Sequence, residues 1–245
     1  MFKFSILTAC HDAAPFLKQC INSVLIQKYV DIEWVIVDDC SIDNSYEILS
    51  SIGDPRIKLV RNDNRKYCAS SYAKALNLAT GDICGVLDSD DALQEDAVET
   101  VVDLYRRYPA IGYIYTQHFW CDEKLRVKRR GLSQMPKPNK SFIDMATKHG
   151  AHCFSHWRTF KRKLSDNAVL FKPGLKYAVD KCLGFSLEEL AMGGFYGEQL
   201  YYYRYHKGNM SKTKAGGQSE ACRALAKEFL KKNKRRRVFP VVELK

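Results

Sequence analysis

Between Phe4 and Tyr108 the chain alternates two hydrophobic periods, and this alternation limits the fold more than any other feature. Short apolar runs at residues 4–7, 34–37, 57–60 and 83–87 have the length of buried strands. After Pro15, the residues Leu17, Cys20, Ile21, Val24 and Leu25 recur at helical spacing, with the proline suited to a first turn. Residues 46–49 predict a short helix capped by Asp43. Ala69, Tyr72, Ala73, Leu76 and Ala79 form a third stripe that stops at Gly81, the expected C-terminal residue. Residues 95–108 predict a helix with Val98, Val101, Val102 and Tyr105 on one face. Strands alternating with helices predict an α/β fold with a mainly parallel sheet covered on both faces.

The remainder is less regular. Residues 113–119 predict a strand, 122–140 a long polar and basic loop, 180–192 a helix, 195–205 an aromatic strand and 219–234 a helix. A basic run at 231–237 precedes an apolar tail at 238–242, and no internal repeat is present. Glu188 and Glu189 are expected at the surface. Tyr201, Tyr202, Tyr203 and Tyr205 are able to stack on sugars, although core packing is the default for aromatics in a strand.

With 46% hydrophobic and 27% charged residues the chain is neither disordered nor fibrous. No stretch approaches the roughly 18 apolar residues that span a bilayer. The N-terminal run stops at His11-Asp12 without the layout of a secretion signal, so a cytoplasmic protein is expected. Nine cysteines are scattered with no C-x-x-C pair, which predicts reduced core thiols and argues against structural zinc.

Acidic residues follow two predicted strands. Asp38-Asp39 comes after Val37, and Asp88-Ser89-Asp90-Asp91 comes after Leu87, while Thr8 closes the first strand. Ligands of open parallel sheets bind beyond the carboxyl ends of the strands. Carboxylates about 4 Å apart repel by roughly 4 kcal/mol when partly shielded from water, and a divalent cation offsets that cost. Oxygen ligands suit Mg2+ or Mn2+, which bridge carboxylates to substrate phosphates. The competing account is a solvated acidic turn with Asp90 or Asp91 capping the next helix. No G-x-x-x-x-G-K-[ST] and no G-x-G-x-x-G is present, which excludes a P-loop and argues against a dinucleotide site. A phosphotransferase with a first-strand carboxylate nucleophile is also disfavoured, because that strand ends Thr8-Ala9-Cys10.

The ordered set Phe4-Ser5-Ile6-Leu7-Thr8, Val35-Ile36-Val37-Asp38-Asp39-Cys40-Ser41, Ala79-Thr80-Gly81-Asp82 and Leu87-Asp88-Ser89-Asp90-Asp91 resembles a family 2 glycosyltransferase of the GT-A fold. Ala178-Val179-Asp180-Lys181 is similar to the family's acidic motif. Tyr203-Arg204-Tyr205-His206-Lys207-Gly208-Asn209-Met210-Ser211 is similar to its Y-R-x-H-x-x-N-x-S segment. The resemblance covers residues 2 to about 212. Within it, residues 151–211 resemble, more weakly, the transferase domains of bacterial chondroitin and hyaluronan polymerases.

The resemblance implies a Rossmann-like mixed, mainly parallel sheet flanked by helices. It implies a single domain over 1–215, with a nucleotide-sugar half (1–119) and an acceptor-binding, catalytic half (120–215), followed by a C-terminal helix and basic tail (216–245). The implied reaction is inverting, metal-dependent transfer of a sugar from a nucleotide diphosphate, a UDP-sugar, to a hydroxyl of a glycan or lipid-linked acceptor. By the same resemblance Thr8 and Asp39 line the nucleotide pocket, Asp88 approaches the ribose or metal, and Ser89 contacts the nucleotide-sugar. Asp90 ligates Mn2+ or Mg2+, His206 completes that metal site or contacts the diphosphate, Arg204 holds a phosphate, and Asp180 is the general base. The alternative for Asp180 is a helix cap. His11 and His152 are secondary candidates. Tyr72 stands where the family places an arginine, so Arg65 or Lys66 is expected to supply that charge.

The formal net charge of +11 suits a protein that handles anions. The run 231–237 is compatible with a solvated tail, an anionic membrane surface or nucleic acid. A basic nucleic-acid-binding protein leaves the strand-end carboxylates unexplained, so no nucleic acid partner is expected. A sugar nucleotidyltransferase lacks its glycine-rich basic loop here, and a non-catalytic glycan-binding relative is a further alternative.

Overall fold

The computed structural model describes residues 2–137, 140–148, 153–209, 215–232 and 238–245. The alternation of the first half is realised as β1 (Phe4–Cys10), α1 (Ala14–Leu25), β2 (Ile32–Asp38), α2 (Ser45–Ser50), β3 (Ile57–Arg61), α3 (Tyr67–Leu78), β4 (Ile83–Val86), β5 (Ala92–Leu93) and α4 (Ala97–Arg107). The second half adds β6 (Tyr113–Cys121), β7 (Val127–Arg130), α5 (Phe142–Lys148), β8 (Arg158–Lys161), α6 (Val179–Leu190), β9 (Gly193–Arg204), α7 (Ala215–Lys232) and β10 (Val241–Leu244). Among the described residues these strands form one mixed sheet in the order β10-β9-β6-β8-β4-β1-β2-β3, with β5 on β9 and β7 on β6. The pairs β1–β2, β1–β4, β2–β3, β6–β9 and β9–β10 are parallel, whereas β8 is antiparallel to both β4 and β6.

Strand periodicity divides the core into two layers. Ile6, Trp34 and Ile36 face one side with Leu17, Val24, Val98 and Val101 of α1 and α4. Leu7, Val35 and Val37 face the other with Tyr72, Ala75, Leu183 and Phe185 of α3 and α6. The expected α/β architecture, a mainly parallel sheet flanked by helices, is the observed one.

Several local expectations are corrected. Asp43 is not the N-cap of α2, a place held by Asn44; its carboxylate accepts from Ser45 N at 2.9 Å and Ala14 N at 3.0 Å, tying two helix starts together. Gly81 does not end α3, which stops at Leu78 with Ala79 extended. Its role is close packing, because a Cβ there would lie 2.5 Å from Ser5 Oγ. Neither Asp90 nor Asp91 caps a helix, since α4 starts at Ala97 after Asp96. Asp180 sits inside the first turn of α6, whose N-cap is Ala178 in the left-handed region at φ 56°. The expected loop 122–140 contains β7, and the apolar tail forms β10 beside β9. Glu188 is buried and accepts from Phe142 N at 2.5 Å, contrary to its expected surface position. All nine cysteines are free thiols, six of them buried, as the scattered spacing predicts. No described helix is long and apolar enough to cross a membrane.

Candidate active site

Three parallel strands, β1, β2 and β4, end on one edge of the sheet. The chain passes from Val86 through Leu87 directly into Asp88-Ser89-Asp90-Asp91. The antiparallel strand β8 runs the opposite way, so its first residue, Arg158, pairs with Val86 at that same edge. His156 therefore arrives beside Asp88. Gly85 leaves room for this approach, since a Cβ there would lie 2.6 Å from Trp157 Cζ2.

Asp88, Asp91 and His156 each offer one ligand atom, all within 4.8 Å of one another. Asp88 Oδ1 accepts from the Tyr72 hydroxyl at 2.6 Å, while Oδ2 lies 3.4 Å from His156 Nε2 and 3.5 Å from Arg158 Nη2. The Tyr201 hydroxyl links the two aspartates, accepting from Asp88 N at 3.1 Å and donating to Asp91 Oδ2 at 2.8 Å. Asp91 Oδ1 accepts from Arg204 N at 2.7 Å.

These surroundings push the carboxyl groups apart in acidity. Burial raises Asp88, but His156, the Arg158 guanidinium and the Tyr72 hydroxyl outweigh it and hold Asp88 below the usual carboxylate range. Asp91 is driven well above that range by burial and by the neighbouring charges of Asp90 and Asp88. Burial and the adjacent Arg158 lower His156, keeping an imidazole lone pair free at neutral pH. Two carboxylate oxygens and an imidazole in this compass fit a divalent cation, the oxygen donors suiting one of the Mg2+ or Mn2+ kind. The raised pKa of Asp91 signals a negative site that a cation would relieve.

A second pair stands beside the cluster. Asp90 Oδ2 lies 2.9 Å from His206 Nε2, and His206 packs on the Phe16 ring at 4.2 Å between centroids. The sequence-predicted pair is thus brought together, while the triad forms from Asp88, Asp91 and His156. Asp180 projects from the first turn of α6 with Lys181 Nζ 3.3 Å away, and its charge is felt at both His156 and Arg158. Burial raises Asp180, but Lys181 and Arg158 outweigh it and hold the carboxyl below its ordinary value.

Other expected residues are placed differently. Thr8 is buried, and its Oγ1 accepts from Trp34 Nε1 at 2.9 Å. Asp39 is buried and accepts from Asn62 Nδ2 at 2.8 Å, Lys66 N at 2.8 Å and Tyr67 N at 2.7 Å, fixing the start of α3. Ser89 is buried within the acidic turn. Arg65 and Lys66 are exposed, Arg65 lying over the Tyr67 ring at 5.3 Å. The buried Arg204 gives its guanidinium to Asp90 O at 2.5 Å, Gln19 Oε1 at 2.8 Å and Glu123 O at 2.7 Å, so it braces the acidic turn from behind. His11 Nδ1 meets Asp39 O at 3.0 Å, and His152 lies outside the described residues.

His156 and Arg158 were not among the residues expected from sequence, and Tyr72, Asp91 and Tyr201 entered only in other roles. The segment His156-Trp157-Arg158 carried a signal, a histidine and an arginine flanking a tryptophan at a strand start. It becomes informative only once that strand is known to run antiparallel beside β4.

A GT-A-like mixed sheet with carboxylates and an imidazole gathered at the carboxyl ends of its parallel strands defines a glycosyltransferase-type domain. The profile of glycosyl transferase family 2 matches residues 5–168, and the chain belongs to that family. It is similar to an uncharacterized glycosyltransferase of Nostoc sp., with 26% identity over 226 residues, covering 89% of this chain and 69% of that one. It is also similar to the hyaluronan synthase of Pasteurella multocida, with 27% identity over 218 residues, covering 88% of this chain and only 22% of the synthase. In fold it resembles crystalline Staphylococcus aureus TarS 1–349 in complex with UDP-GlcNAc, at TM-score 0.74 and 17% identity, covering 93% of this chain and 66% of TarS 1–349. The chain is thus an enzyme of the glycosyltransferase class.

Proposed function

We propose that the chain is an inverting, metal-dependent glycosyltransferase moving a hexosyl or N-acetylhexosaminyl group from a UDP-sugar to a hydroxyl of a glycan or lipid-linked acceptor. The convergence of Asp88, Asp91 and His156 within 4.8 Å at the strand-end crevice carries this reading. The uridine donor is supported by the UDP-GlcNAc complex of TarS, and the glycan acceptor by the hyaluronan synthase relative.

Asp88, Asp91 and His156, with Asp90 and His206 beside them, are the residues that would hold Mn2+ or Mg2+, which when bound supplies positive charge against the departing diphosphate. Asp39, Ser89 and Thr8 shape the nucleotide side of the crevice, and exposed Arg65 and Lys66 bring cationic groups to the donor. Asp180 takes the proton of the attacking acceptor hydroxyl. Its lowered pKa keeps it ionised at neutral pH, the state a base requires. Residues 1–119 form the donor half and 120–215 the acceptor half, followed by 216–245.

Nine free thiols suit a reducing compartment, so we place the enzyme in the cytoplasm. The basic run 231–237 suits contact with an anionic membrane surface; of that run, residues 233–237 lie outside the described residues.

Titration with UDP tests the proposal. Binding should require Mn2+ or Mg2+, disappear with EDTA and be lost in Asp90→Ala. Affinity unchanged by both treatments would exclude the metal–diphosphate account. A panel of nucleotide sugars, screened for metal-stimulated hydrolysis, identifies the donor.

A further inference from the structure

Beyond the triad, an aromatic series leads outward along one sheet face. His156 stacks on Tyr201 and Tyr203, at centroid distances of 4.7 and 5.1 Å and interplanar angles of 24° and 29°. Tyr203 pairs in register with Trp120 of β6, their rings 5.1 Å apart. Trp120 in turn packs on Tyr205 at 5.1 Å and pairs in register with Arg129 of β7, whose Cζ lies 4.5 Å over the indole. Directly paired residues project to the same side of a sheet, so Arg129, Trp120 and Tyr203 share one face.

Packing alone accounts poorly for this series. Aromatic cross-strand pairs do stabilise sheets, and basic residues do guard edge strands. An edge guard, however, needs only charge in solvent, whereas the Arg129 guanidinium sits over an indole. A series built for packing would also be covered, yet Trp120 is half-buried and Tyr205 is 37% exposed. All four residues of β7 are exposed. Arg126 and Lys128 are paired with Asp122, but neither Arg129 nor Arg130 has an ion-pair partner among the described residues.

We propose that the face carrying Trp120, Tyr203, Tyr205 and Arg129 is a binding subsite for an anionic saccharide chain that enters the crevice beside His156. The C–H face of a pyranose ring packs on the electron-rich face of an aromatic ring. Consecutive sugars of an extended chain meet successive rings of the series. The guanidinium of Arg129, its Cζ 4.5 Å over Trp120, meets a carboxylate on a sugar stacked on the neighbouring rings with two parallel donors. Charge complementarity thus selects the occupant. A neutral chain would gain the stacking alone. The subsite rests on the transferase reading for its role as an acceptor track, but not for its ligand chemistry.

The test uses the full chain and two probes, a hexasaccharide of alternating uronic acid and N-acetylhexosamine and the same hexasaccharide after carboxyl reduction. Wild-type protein should bind the charged probe at least about tenfold more tightly than the reduced one, the discrimination of a charge-assisted hydrogen bond. Arg129→Gln should bind the two alike, and Trp120→Ala should weaken both by about tenfold or more. UDP affinity with Mn2+ should be unchanged in both variants, which reports an intact fold. The proposal is overturned if wild type binds neither probe or fails to discriminate between them, or if both variants match wild type. Arg129 is exposed, so its variant keeps the test decisive even if Trp120→Ala does not fold. Absence of UDP binding in wild type, with the saccharide pattern intact, would sink the transferase reading and leave the subsite standing.

Discussion

The Tyr72 hydroxyl donates to Asp88 Oδ1 at 2.6 Å, so a buried phenol on α3 orients the first carboxylate of the site. This is the position where family resemblance leads one to expect an arginine. The consequence is local. Tyr72 itself is shifted well upward by burial and by Asp88, so it remains a donor at any physiological pH. Tyr72→Phe should keep the fold, because the ring still stacks on Phe171 at 5.3 Å. It should weaken metal-dependent UDP binding by roughly 10-fold, the effect of losing one hydrogen bond to a charged group. Affinity equal to wild type in calorimetric titration would remove Tyr72 from the site.

The proposed role of Asp180 as the base separates chemistry from binding. Asp180→Asn keeps the shape of α6 but cannot accept a proton. Transfer should fall by about 100- to 10,000-fold, while UDP affinity changes little. Initial rates and titration on the same preparation check this, and near-normal turnover would reject the assignment.

Arg204 is a brace whose loss should be felt in stability and in the site together. Lysine in its place retains charge but cannot reach Asp90 O, Gln19 Oε1 and Glu123 O at once. Arg204→Lys should cost about 2–4 kcal/mol in urea unfolding and weaken metal-dependent UDP binding, since the acidic turn loses its support. A variant as stable as wild type would show the brace to be dispensable.

Acid sensitivity should trace in part to Glu33, at the opposite edge of the sheet. Burial pushes its carboxyl up, but hydrogen bonds from Ser5, Thr80 and Lys3 prevail and hold it down to about 2, against an ordinary 4.5. A lowered folded-state value means stability that is fully present above pH 4.5 and is lost as pH falls toward 2. The side chain is only 14% exposed, so the shift corresponds to about 3 kcal/mol. Glu33→Gln should be less stable than wild type at pH 6, with the gap closing near pH 2. Parallel unfolding curves at both pH values would contradict this.

Much of the first half of the chain was legible in the sequence because its information is local. Strand length, helical spacing and the acidic residues following Val37 and Leu87 are read within a few positions, and each such element sits where its pattern places it. The pairing of Asp90 with His206 was legible only through resemblance, since those residues lie far apart along the chain. The edge strands β7 and β10 were missed because their few residues carry no strand pattern until β6 and β9 offer them partners.

The sequence by itself determined the alternating α/β architecture and the edge of the sheet on which the chemistry sits. Tertiary structure alone decided which side chains meet there. The insertion of β8 antiparallel to β4 is a long-range pairing that no local pattern encodes, and it delivers His156 and Arg158 to Asp88. The same packing turns Thr8 toward Trp34 and Arg204 toward Gln19, because a buried donor or acceptor binds whatever partner the assembled fold brings within reach.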